Sequence, residues 1–492
     1  MTDSATGTLR ALALAAALAV VSACAHYPLN EPSGAIDPGE AYRFDDLARV
    51  DNTDRLFVCL AFSGGGTRAA ALAYGVLREL RETPVVVDGK RKSLLDEVDC
   101  ISSVSGGSFT AAYYGLFGEQ LFDDFRERFL ERDIQGALVR RGLAPSNLLR
   151  MASPYFGRID VAAELYDEQI FGGKRVADLR ARGRPFVIMN ATDLATGSRF
   201  DFTSLHFDAM GSDLARYPVA RAVAASSAFP FLLSPITLLN YPTAPGYTPP
   251  DWYEGGLDSL HSARYRYRAA QDLAHYLDKA NRYVHLMDGG LADNIGARAI
   301  VHAFSRGFIR RRINDGEIER LVVILVNART EPQESLSREA RPPSLPAVAH
   351  KTATISMDNY SFDSVALMVE RLRQRVQAQK DVEACRARIA SCPGAPPIFG
   401  FGAAVDPFVI EVNFAGAADI EGEDPDYYLN LPTSFRLDLQ QVQRLIGIGP
   451  KLLRSAPQYR CLLRVLEAEA AGDPRPDQCP VGAGIAGGSE SQ

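Results

Sequence analysis

The stretch that decides the fold is residues 55–68, which read RLFVCLAFSGGGTR. Its apolar half is typical of a strand that is buried on both faces of a parallel sheet. Residues 67–82 continue with Ala, Leu and Val at helical spacing, so the segment predicts a strand, a tight turn and a helix. The glycines leave backbone N–H groups accessible at a helix N-terminus, which favours a bound phosphate or a developing oxyanion.

A second predicted strand ends in a serine-rich turn at residues 103–107, SVSGG. This turn is similar to G-x-S-x-G, which exposes a nucleophilic serine between a strand and a helix. The turn is sharp and needs small flanking residues, a need that Ser103, in place of the usual Gly, and Gly107 both meet. Residues 61–65 satisfy the same loose pattern around Ser63, so the pattern alone leaves Ser63 and Ser105 open as nucleophiles.

An aspartate follows a third predicted strand, at residues 283–287. Asp288 precedes Gly289 and Gly290, and two glycines allow close approach to other backbone, although an ordinary Asp-Gly turn has the same sequence. All three segments lie where a strand is predicted to end. In open α/β sheets, catalytic groups gather at the carboxyl ends of the strands.

Strands and helices alternate along the rest of the chain, which indicates an α/β fold with a mostly parallel sheet. Further strands are predicted at 185–191, 321–326 and 408–414. Helices are predicted at 109–117, 263–281, 363–390 and 436–470, and 119–182 is mostly helical with breaks at 142–145 and 154–157. The Pro-rich residues 236–260 are predicted as a loop, and the Gly- and Pro-rich residues 471–492 as a disordered tail.

Taken together, GGGTR at 64–68, SVSGG at 103–107 and DGG at 288–290 resemble the patatin-like phospholipase family. Residues 190–197 and 224–230 are also similar to segments of that family. The resemblance covers roughly residues 55–330 and is weaker at 431–435. Each of these motifs is common, whereas their combination in this order is specific.

The resemblance implies a three-layer sandwich, with a mostly parallel central sheet between helices, that hydrolyses acyl esters of membrane lipids as a phospholipase A or lysophospholipase. It implies Ser105 as nucleophile and Asp288 as general base, with no cofactor and no metal. The remaining implied site residues are the oxyanion loop, Gly64, Gly65, Gly66 and Arg68, and the supports Ser103, Gly107, Gly289 and Gly290.

Histidine placement favours a Ser–Asp dyad over an ordinary triad. In α/β-hydrolases the triad histidine follows the acid along the chain. Only His302 and His350 follow Asp288, and neither lies where a triad histidine would be expected.

The N-terminus reads as a targeting segment. Residues 11–23 are apolar or small, too few to span a bilayer but typical of a signal-peptide core. Residues 21–24, VSAC, resemble the bacterial lipobox, which predicts a signal peptide at 1–23, lipidation of Cys24 and a tether at 24–50. Ala25 follows the cysteine, which by resemblance indicates the outer membrane, facing the periplasm. The alternative is a secretory peptide that is cut elsewhere.

The rest of the chain is predicted as a catalytic core at 51–330 and a C-terminal part at 331–470 that packs on it. Among the other cysteines, Cys59 and Cys100 are predicted as buried thiols because they lie in apolar strands. An exported protein favours two local disulfides, Cys385 with Cys392 and Cys461 with Cys479.

The composition is that of a globular protein, with 492 residues, 47% hydrophobic and 23% charged. The net charge of −7 and the absence of a basic block argue against a nucleic-acid partner. The predicted lipid anchor makes the membrane the expected partner, and the oligomeric state stays open.

Two segments are candidate lids over the site. They are residues 140–158, which mix arginines with apolar residues, and the loop 241–253, which contains several aromatic residues. For 140–158, a helix pair that covers the core is the alternative.

Two other functions fit parts of the sequence. Gly64, Gly66 and Ala69, with Asp88 about 20 residues further on, match a dinucleotide-binding pattern and suggest an oxidoreductase. That reading leaves Ser105 and Asp288 without a role. A catalytically inactive surface lipoprotein is the other alternative.

Overall fold

The structure is a computed structural model that describes residues 25–34, 39, 41–49, 52–330, 340, 342–390 and 404–485. Its strands are β1 Leu56–Phe62, β2 Pro84–Val87, β3 Lys90–Ser93, β4 Val98–Val104, β5 Phe186–Asp193, β6 Arg199–Asp201, β7 Ile236–Leu239, β8 Tyr283–Asp288, β9 Arg320–Asn327 and β10 Asp406–Asn413. Eight of them form one sheet in the order β10-β9-β1-β4-β5-β8-β7, with β6 paired to β5. β2 and β3 form a separate hairpin.

The α-helices surround this sheet. They are α1 Thr67–Glu82, α2 Gly106–Phe117, α3 Leu121–Phe125, α4 Ile134–Gly142, α5 Pro145–Met151, α6 Arg158–Tyr166, α7 Val176–Arg182, α8 Ser204–Ala209, α9 Val219–Ser226, α10 Trp252–Leu257, α11 Arg264–Leu277, α12 Gly290–Asp293, α13 Ala297–Arg306, α14 Phe308–Asn314, α15 Leu345–Ala390, α16 Pro425–Leu429, α17 Leu439–Ser455 and α18 Pro457–Ala471. Short 3-10 or π helices lie at Phe44–Asp46, Leu94–Glu97, Gly118–Gln120, Arg126–Leu130, Asp167–Phe171, Phe414–Asp419 and Ala483–Ile485.

The sheet is parallel from β10 to β5 and antiparallel beyond it. β10, β9, β1, β4 and β5 run in one direction, and β8 pairs antiparallel with both β5 and β7. The expected α/β fold with a mostly parallel sheet is confirmed. β1 and β4 are buried along their whole length, as expected for strands that helices cover on both faces.

Two adjacent residues of β4 show that helices cover both faces. Neighbouring side chains of a strand point to opposite faces of the sheet. The hydroxyl of Ser102 donates to the carbonyl of Gly296, just before α13, whereas Ser103 bonds Ser108 in α2. The sheet therefore lies between a layer that contains α13 and a layer that contains α2, in the predicted three-layer arrangement.

The C-terminal part extends the core. β10 pairs with β9 along its full length, so it adds an edge strand to the same sheet. The backbone of Gly75 in α1 lies so close to the carbonyl of Ile446 in α17 that no β-carbon fits. On α18, the Tyr459 hydroxyl hydrogen-bonds Thr83 at the end of α1.

One expectation about a loop is wrong, and the described parts of the two termini pack on the core. Residues 236–260 contain β7 and α10 rather than loop alone. The described part of the tether is irregular but docked, since Tyr42 and Phe44 are buried. The tail is ordered as far as Ile485, which is buried; residues 486–492 lie outside the described part of the chain. Each of these segments contacts residues distant in sequence, which local composition does not reveal.

The cysteines divide into a confirmed pair, a corrected pair and an untested one. Cys461 and Cys479 form the expected disulfide. The prediction of buried thiols at Cys59 and Cys100 is wrong, because the two residues face each other in register on β1 and β4 and are joined by a disulfide. Cys392 lies outside the described residues, so its pairing with Cys385 stays a prediction.

Within the described residues, no helix combines the length and the apolar character needed to cross a bilayer. The signal segment and Cys24 lie outside the described part of the chain, so lipidation stays a prediction.

Candidate active site

Ser105 occupies the turn between β4 and α2 in a strained backbone conformation. Its φ is 50° and its ψ is −120°, a combination that a residue with a side chain rarely adopts. Such strain at a strand-to-helix turn pushes a serine hydroxyl out above the sheet edge. This backbone conformation costs of the order of 1–3 kcal/mol, so the surrounding packing must hold Ser105 in it.

Ser63 differs from Ser105 in this respect, although the sequence pattern treats them alike. Its φ is not positive, and its hydroxyl bonds two backbone groups: it donates to the carbonyl of Gly64 and accepts from the N–H of Ala328. Ser63 thus ties the turn after β1 to the segment that follows β9.

A network of buried serines holds the turn from below. The N–H of Ser105 donates to the hydroxyl of Ser226, which in turn donates to the carbonyl of Asn190. Ser108 bonds both Ser226 and Ser103. Ser103, at the position where the family has Gly, is therefore accommodated by hydrogen bonds beneath the turn.

Asp288 reaches Ser105 along an antiparallel strand. Val104 pairs with Asn190, and the next residue of β5, Ala191, pairs with Asp288 at the end of β8. Asp288 and Ser105 are close, as predicted. The reason is the antiparallel pairing of β8 with β5, and not that parallel strands end at the same edge of the sheet. The hydroxyl of Thr192 donates to the Asp288 carbonyl and fixes this end of β8.

The Asp288 carboxyl is buried and has few partners. It accepts a hydrogen bond from the N–H of Gly290, at 2.9 Å, and the Ser105 hydroxyl lies beside it. Burial raises the pKa of Asp288 to about 6, and the Gly290 N–H and the Ser105 hydroxyl partly oppose the rise. No arginine or lysine among the described residues offsets the charge of Asp288.

The glycine loop supplies a narrower set of N–H donors than the sequence suggests. Gly64 donates its N–H to the carbonyl of Asn294, so this donor is already used. Gly65 and Gly66 adopt φ values of 142° and 61°, and within the described residues their N–H groups have no backbone acceptor. The proposed oxyanion donors are therefore Gly65 and Gly66, and Gly64 is removed from that set.

Arg68 braces this loop rather than facing a substrate. Its guanidinium donates to the carbonyls of Ala328 and Leu431 and to the hydroxyl of Thr433, and the side chain is buried. The N–H of Thr67 donates to the carbonyl of Ser434, which lies against Gly66. Residues 431–435 thus clamp the loop from the C-terminal part of the chain.

The other glycines permit close approach around the two candidate side chains. A β-carbon on Gly106 would overlap the backbone of Gly66, and one on Gly107 would lie 2.7 Å from the carbonyl of Ser63. A β-carbon on Gly289 would overlap the carbonyl of Asn190. A β-carbon on Gly290 would lie 3.1 Å from the Asp288 carboxyl.

Two contributors, Asn294 and Ser226, received no role from the sequence. Asn294 holds Gly64 through its carbonyl, and its Oδ1 leaves no room for a β-carbon on Gly64. Residues 224–230 and 431–435 had been singled out only by resemblance, and they prove to hold the backbones of Ser105 and Gly66. Ser226 lies 121 residues from Ser105 along the chain, and Asn294 and Ser434 lie still further from the glycine loop, so spacing did not reveal them.

His302 is not placed as a triad histidine. Its Nδ1 accepts from Arg199 and Arg306, and burial beside these cations holds its pKa well below the ordinary value. His285 bonds Thr237 on the other side of β8.

The dinucleotide alternative conflicts with the positions of its own residues. Asp88 lies in the β2–β3 turn and pairs with Arg55, which precedes β1, whereas Gly64 follows β1. Because β1 spans about 20 Å, the loop and Asp88 lie at opposite ends of the sheet, and a ribose held at Asp88 would not reach a phosphate at the glycines.

The model of the family described as Patatin-like phospholipase matches residues 60–301, which include Ser105, Asp288 and the glycine loop. Residues 60–301 form a patatin-like phospholipase domain. The domain belongs to a family of lipid acyl hydrolases. No curated protein matched the chain.

Three of the solved structures that the chain matches come from a human protein and a bacterial one. Human GIVD cytosolic phospholipase A2 is 16% identical, with a TM-score of 0.33 over 58% of this chain and 51% of its own. Its complex with methyl gamma-linolenyl fluorophosphonate is 14% identical, with a TM-score of 0.39 over 85% and 60%. VipD from Legionella pneumophila is 11% identical, with a TM-score of 0.28 over 82% and 68%. The chain thus spans 51% to 60% of the length of the human phospholipase chains.

Proposed function

We propose that the chain hydrolyses acyl esters of membrane phospholipids or lysophospholipids, with Ser105 as nucleophile and Asp288 as general base. The observation that carries this proposal is the strained Ser105, whose hydroxyl lies beside a buried carboxyl that no cation of the described residues neutralises. A strained serine and an unneutralised carboxylate each cost stability, and together they form a nucleophile with its base.

In the acylation step, Ser105 Oγ attacks the ester carbonyl carbon while its proton passes to the Asp288 carboxylate. The carbonyl oxygen becomes an oxyanion, and the N–H groups of Gly65 and Gly66 are positioned to donate to it. When the C–O bond to the alcohol breaks, the leaving oxygen takes the proton back from Asp288. The acyl group remains on Ser105.

In the deacylation step, water attacks the acyl-enzyme and gives its proton to Asp288. The second tetrahedral intermediate collapses, the fatty acid leaves, and the proton returns to Ser105 Oγ. Asp288 is a better base than an ordinary aspartate, because burial raises its pKa to about 6. Its position beside the Ser105 hydroxyl supplies the proximity that such a base needs.

We also propose that the protein is exported and held at the outer membrane, facing the periplasm, by lipid on Cys24. The run 11–23 that ends at VSAC supports this placement. It would bring the site to its substrate without a transmembrane helix.

The test is fatty acid release from phospholipid and lysophospholipid vesicles by the purified full chain. Ser105→Ala is expected to abolish release while the protein stays folded. Ser63→Ala is the matched control and is expected to retain much more activity, because Ser63 only joins two backbone segments. Equal loss in both variants, or no release by the unchanged protein from any acyl ester, would contradict the proposal.

A further inference from the structure

One side of the molecule exposes large apolar side chains on neighbouring segments. They belong to α4, α5 and the turn between them, to the loop before α6, and to the loop between α9 and β7. We call this set the apolar rim: Val139, Leu143, Leu148, Leu149, Tyr155, Phe231 and Leu232. Leu143 is 65% exposed and Phe231 is 68% exposed, in contrast with the buried apolar side chains of the core. Large apolar side chains exposed together on adjoining segments indicate an interaction site.

The segments that carry the rim contact the supports of the candidate active site at two places. At one end, the N–H of Gln135 in α4 donates to the carbonyl of Phe435, next to Ser434, which holds Gly66. At the other end, Phe231 follows closely after Ala228, whose carbonyl accepts the N–H of Asp288. Arg158 donates to the carbonyl of Phe231 and joins the two parts of the rim.

The start of the described chain is fastened to the same surface. The Ser153 hydroxyl donates to the carbonyl of Ala25, and the N–H of Tyr27 donates to the carbonyl of Tyr155. The ring of His26 stacks on Tyr155, with centroids 5.0 Å apart. Ala25 is the residue after Cys24, so a lipid on Cys24 would emerge within one residue of the rim.

The charges at the rim suit anionic phospholipid head groups. Arg140 and Arg158 are exposed, and neither forms an ion pair with a described residue. The nearby acids Glu164 and Glu168 are occupied by Arg141 and Arg150. Apolar side chains flanked by unpaired arginines fit the boundary between acyl chains and head groups.

We propose that the apolar rim is the surface that inserts into the bilayer, beside the turn that carries Ser105. This inference rests on the proposed function for its purpose, since a lipid hydrolase needs its site at the membrane. The geometric argument is independent of catalysis: the tether ends on the rim. The alternative is that a second copy of the chain covers the rim. In that case, another surface would contact the bilayer.

Tryptophan fluorescence tests the contact without relying on activity. The full chain has a single tryptophan, Trp252, outside the rim. Leu148→Trp places a second one in the rim, and Val86→Trp, at an exposed apolar site of the β2–β3 hairpin at the opposite end of the sheet, is the control. On phosphatidylcholine–phosphatidylglycerol vesicles with brominated acyl chains, only the Leu148→Trp protein is expected to gain strongly quenched emission. Equal quenching of both proteins, or none in Leu148→Trp, would overturn the proposal.

Hydrolysis kinetics give the second readout. The double variant Leu143→Ser with Leu148→Ser is expected to lose about tenfold or more of its rate on vesicles, because two leucines no longer leave water. Its rate on a soluble short-chain ester should stay within about twofold, since these residues do not touch the dyad. The matched double variant, Val86→Ser with Val481→Ser, should keep both rates, because both residues lie at the amino end of the strands.

The outcomes separate this inference from the proposed function. If the unchanged protein hydrolyses no ester but Leu148→Trp is quenched, the proposed function fails and the membrane contact stands. If the rim variant loses soluble-ester and vesicle hydrolysis equally, the rim belongs to the catalytic machinery and the membrane proposal is wrong. Sedimentation that shows a dimer lost in the rim variant, without quenching of Leu148→Trp, would assign the rim to a second copy and overturn the proposal.

Discussion

Two buried aspartates lie in the same sheet and are treated in opposite ways. Asp99 in β4, at the amino end, accepts hydrogen bonds from Arg184, at 2.7 Å, from the N–H of Val58 and from Asn52. Burial raises the pKa of Asp99 to about 7, above the value of about 6 for Asp288, although Arg184 opposes this rise. Asp288 at the other end of the sheet receives only the Gly290 N–H and the Ser105 hydroxyl among the described residues.

The difference separates a structural carboxyl from a reactive one. A cation beside Asp99 stabilises its charge, so this residue ties β4 to β1 and to Arg184. Among the described residues Asp288 has no such cation, and in the proposed mechanism its charge takes a proton from the hydroxyl beside it. The contrast teaches that burial alone does not identify a base. A buried carboxylate is a candidate base when it lacks a counter-ion and lies next to a hydroxyl.

The largest expected effect is on turnover. Asp288→Asn keeps the shape of the side chain but removes the proton acceptor, so kcat is expected to fall by about 10²–10⁴-fold. Asp99→Asn should keep most of its kcat when measured on folded protein at low temperature. Steady-state kinetics on a soluble ester, with circular dichroism as a folding check, make the comparison. A larger loss of kcat in Asp99→Asn than in Asp288→Asn would contradict the contrast between the two aspartates.

The second effect is on stability at the other end of the sheet. Asp99→Asn leaves Arg184 with Asp54 as its remaining carboxylate partner, at 3.0 Å, and breaks a buried ion pair. The free energy of unfolding is expected to fall by about 3–5 kcal/mol. Urea denaturation measures this loss. A stability equal to that of the unchanged protein would mean that the pair at Asp99 is not structural.

The third effect is a gain in stability from Asp288→Asn. Because the pKa of Asp288 in the folded state is about 6, above its ordinary value of 3.8, the folded protein favours the protonated form. Asp288 therefore costs stability progressively as the pH rises through this window, by at most about 3 kcal/mol above it. Asn carries no such cost, so the variant should gain most at about pH 7.5 and little at about pH 4. Urea titrations at both pH values would show it, and a uniform gain would contradict the assignment.

The fourth effect is the acid limb of the activity profile. The base must be ionised, so kcat/KM is expected to fall about tenfold per pH unit below pH 6 and to level off above it. The pH dependence with a soluble ester gives this limb. A midpoint near the ordinary aspartate value would mean that the carboxyl is not desolvated in the working enzyme.

Local sequence predicted the first strands and helix of the fold well. The apolar run before the glycine loop became β1, residues 67–82 became α1 to the residue, and the second predicted strand became β4, Val98–Val104. These segments combine uninterrupted apolar residues with a glycine-rich turn, so their pattern is strong. By contrast, β7 and α10 lie in a Pro-rich stretch whose structure comes from pairing with β8 and packing on α11.

The site was predicted only in part, for a related reason. The sequence brought Ser105, Asp288 and the glycines forward, but it left Ser63 as an equal candidate, because backbone strain is not written in a five-residue pattern. It also offered Gly64 as an oxyanion donor, whereas Asn294, distant in sequence, takes that N–H group. Contacts across the fold set both outcomes.

Labelling with a fluorophosphonate, followed by peptide mass spectrometry, tests the central assignment most directly. Such a reagent bonds covalently to a serine that is activated by a base and flanked by oxyanion donors. The adduct is expected on Ser105 in the unchanged protein, to form much more slowly in Asp288→Asn, and to be absent in Ser105→Ala. An adduct on Ser63, or labelling of Ser105 at the same rate without Asp288, would contradict the account.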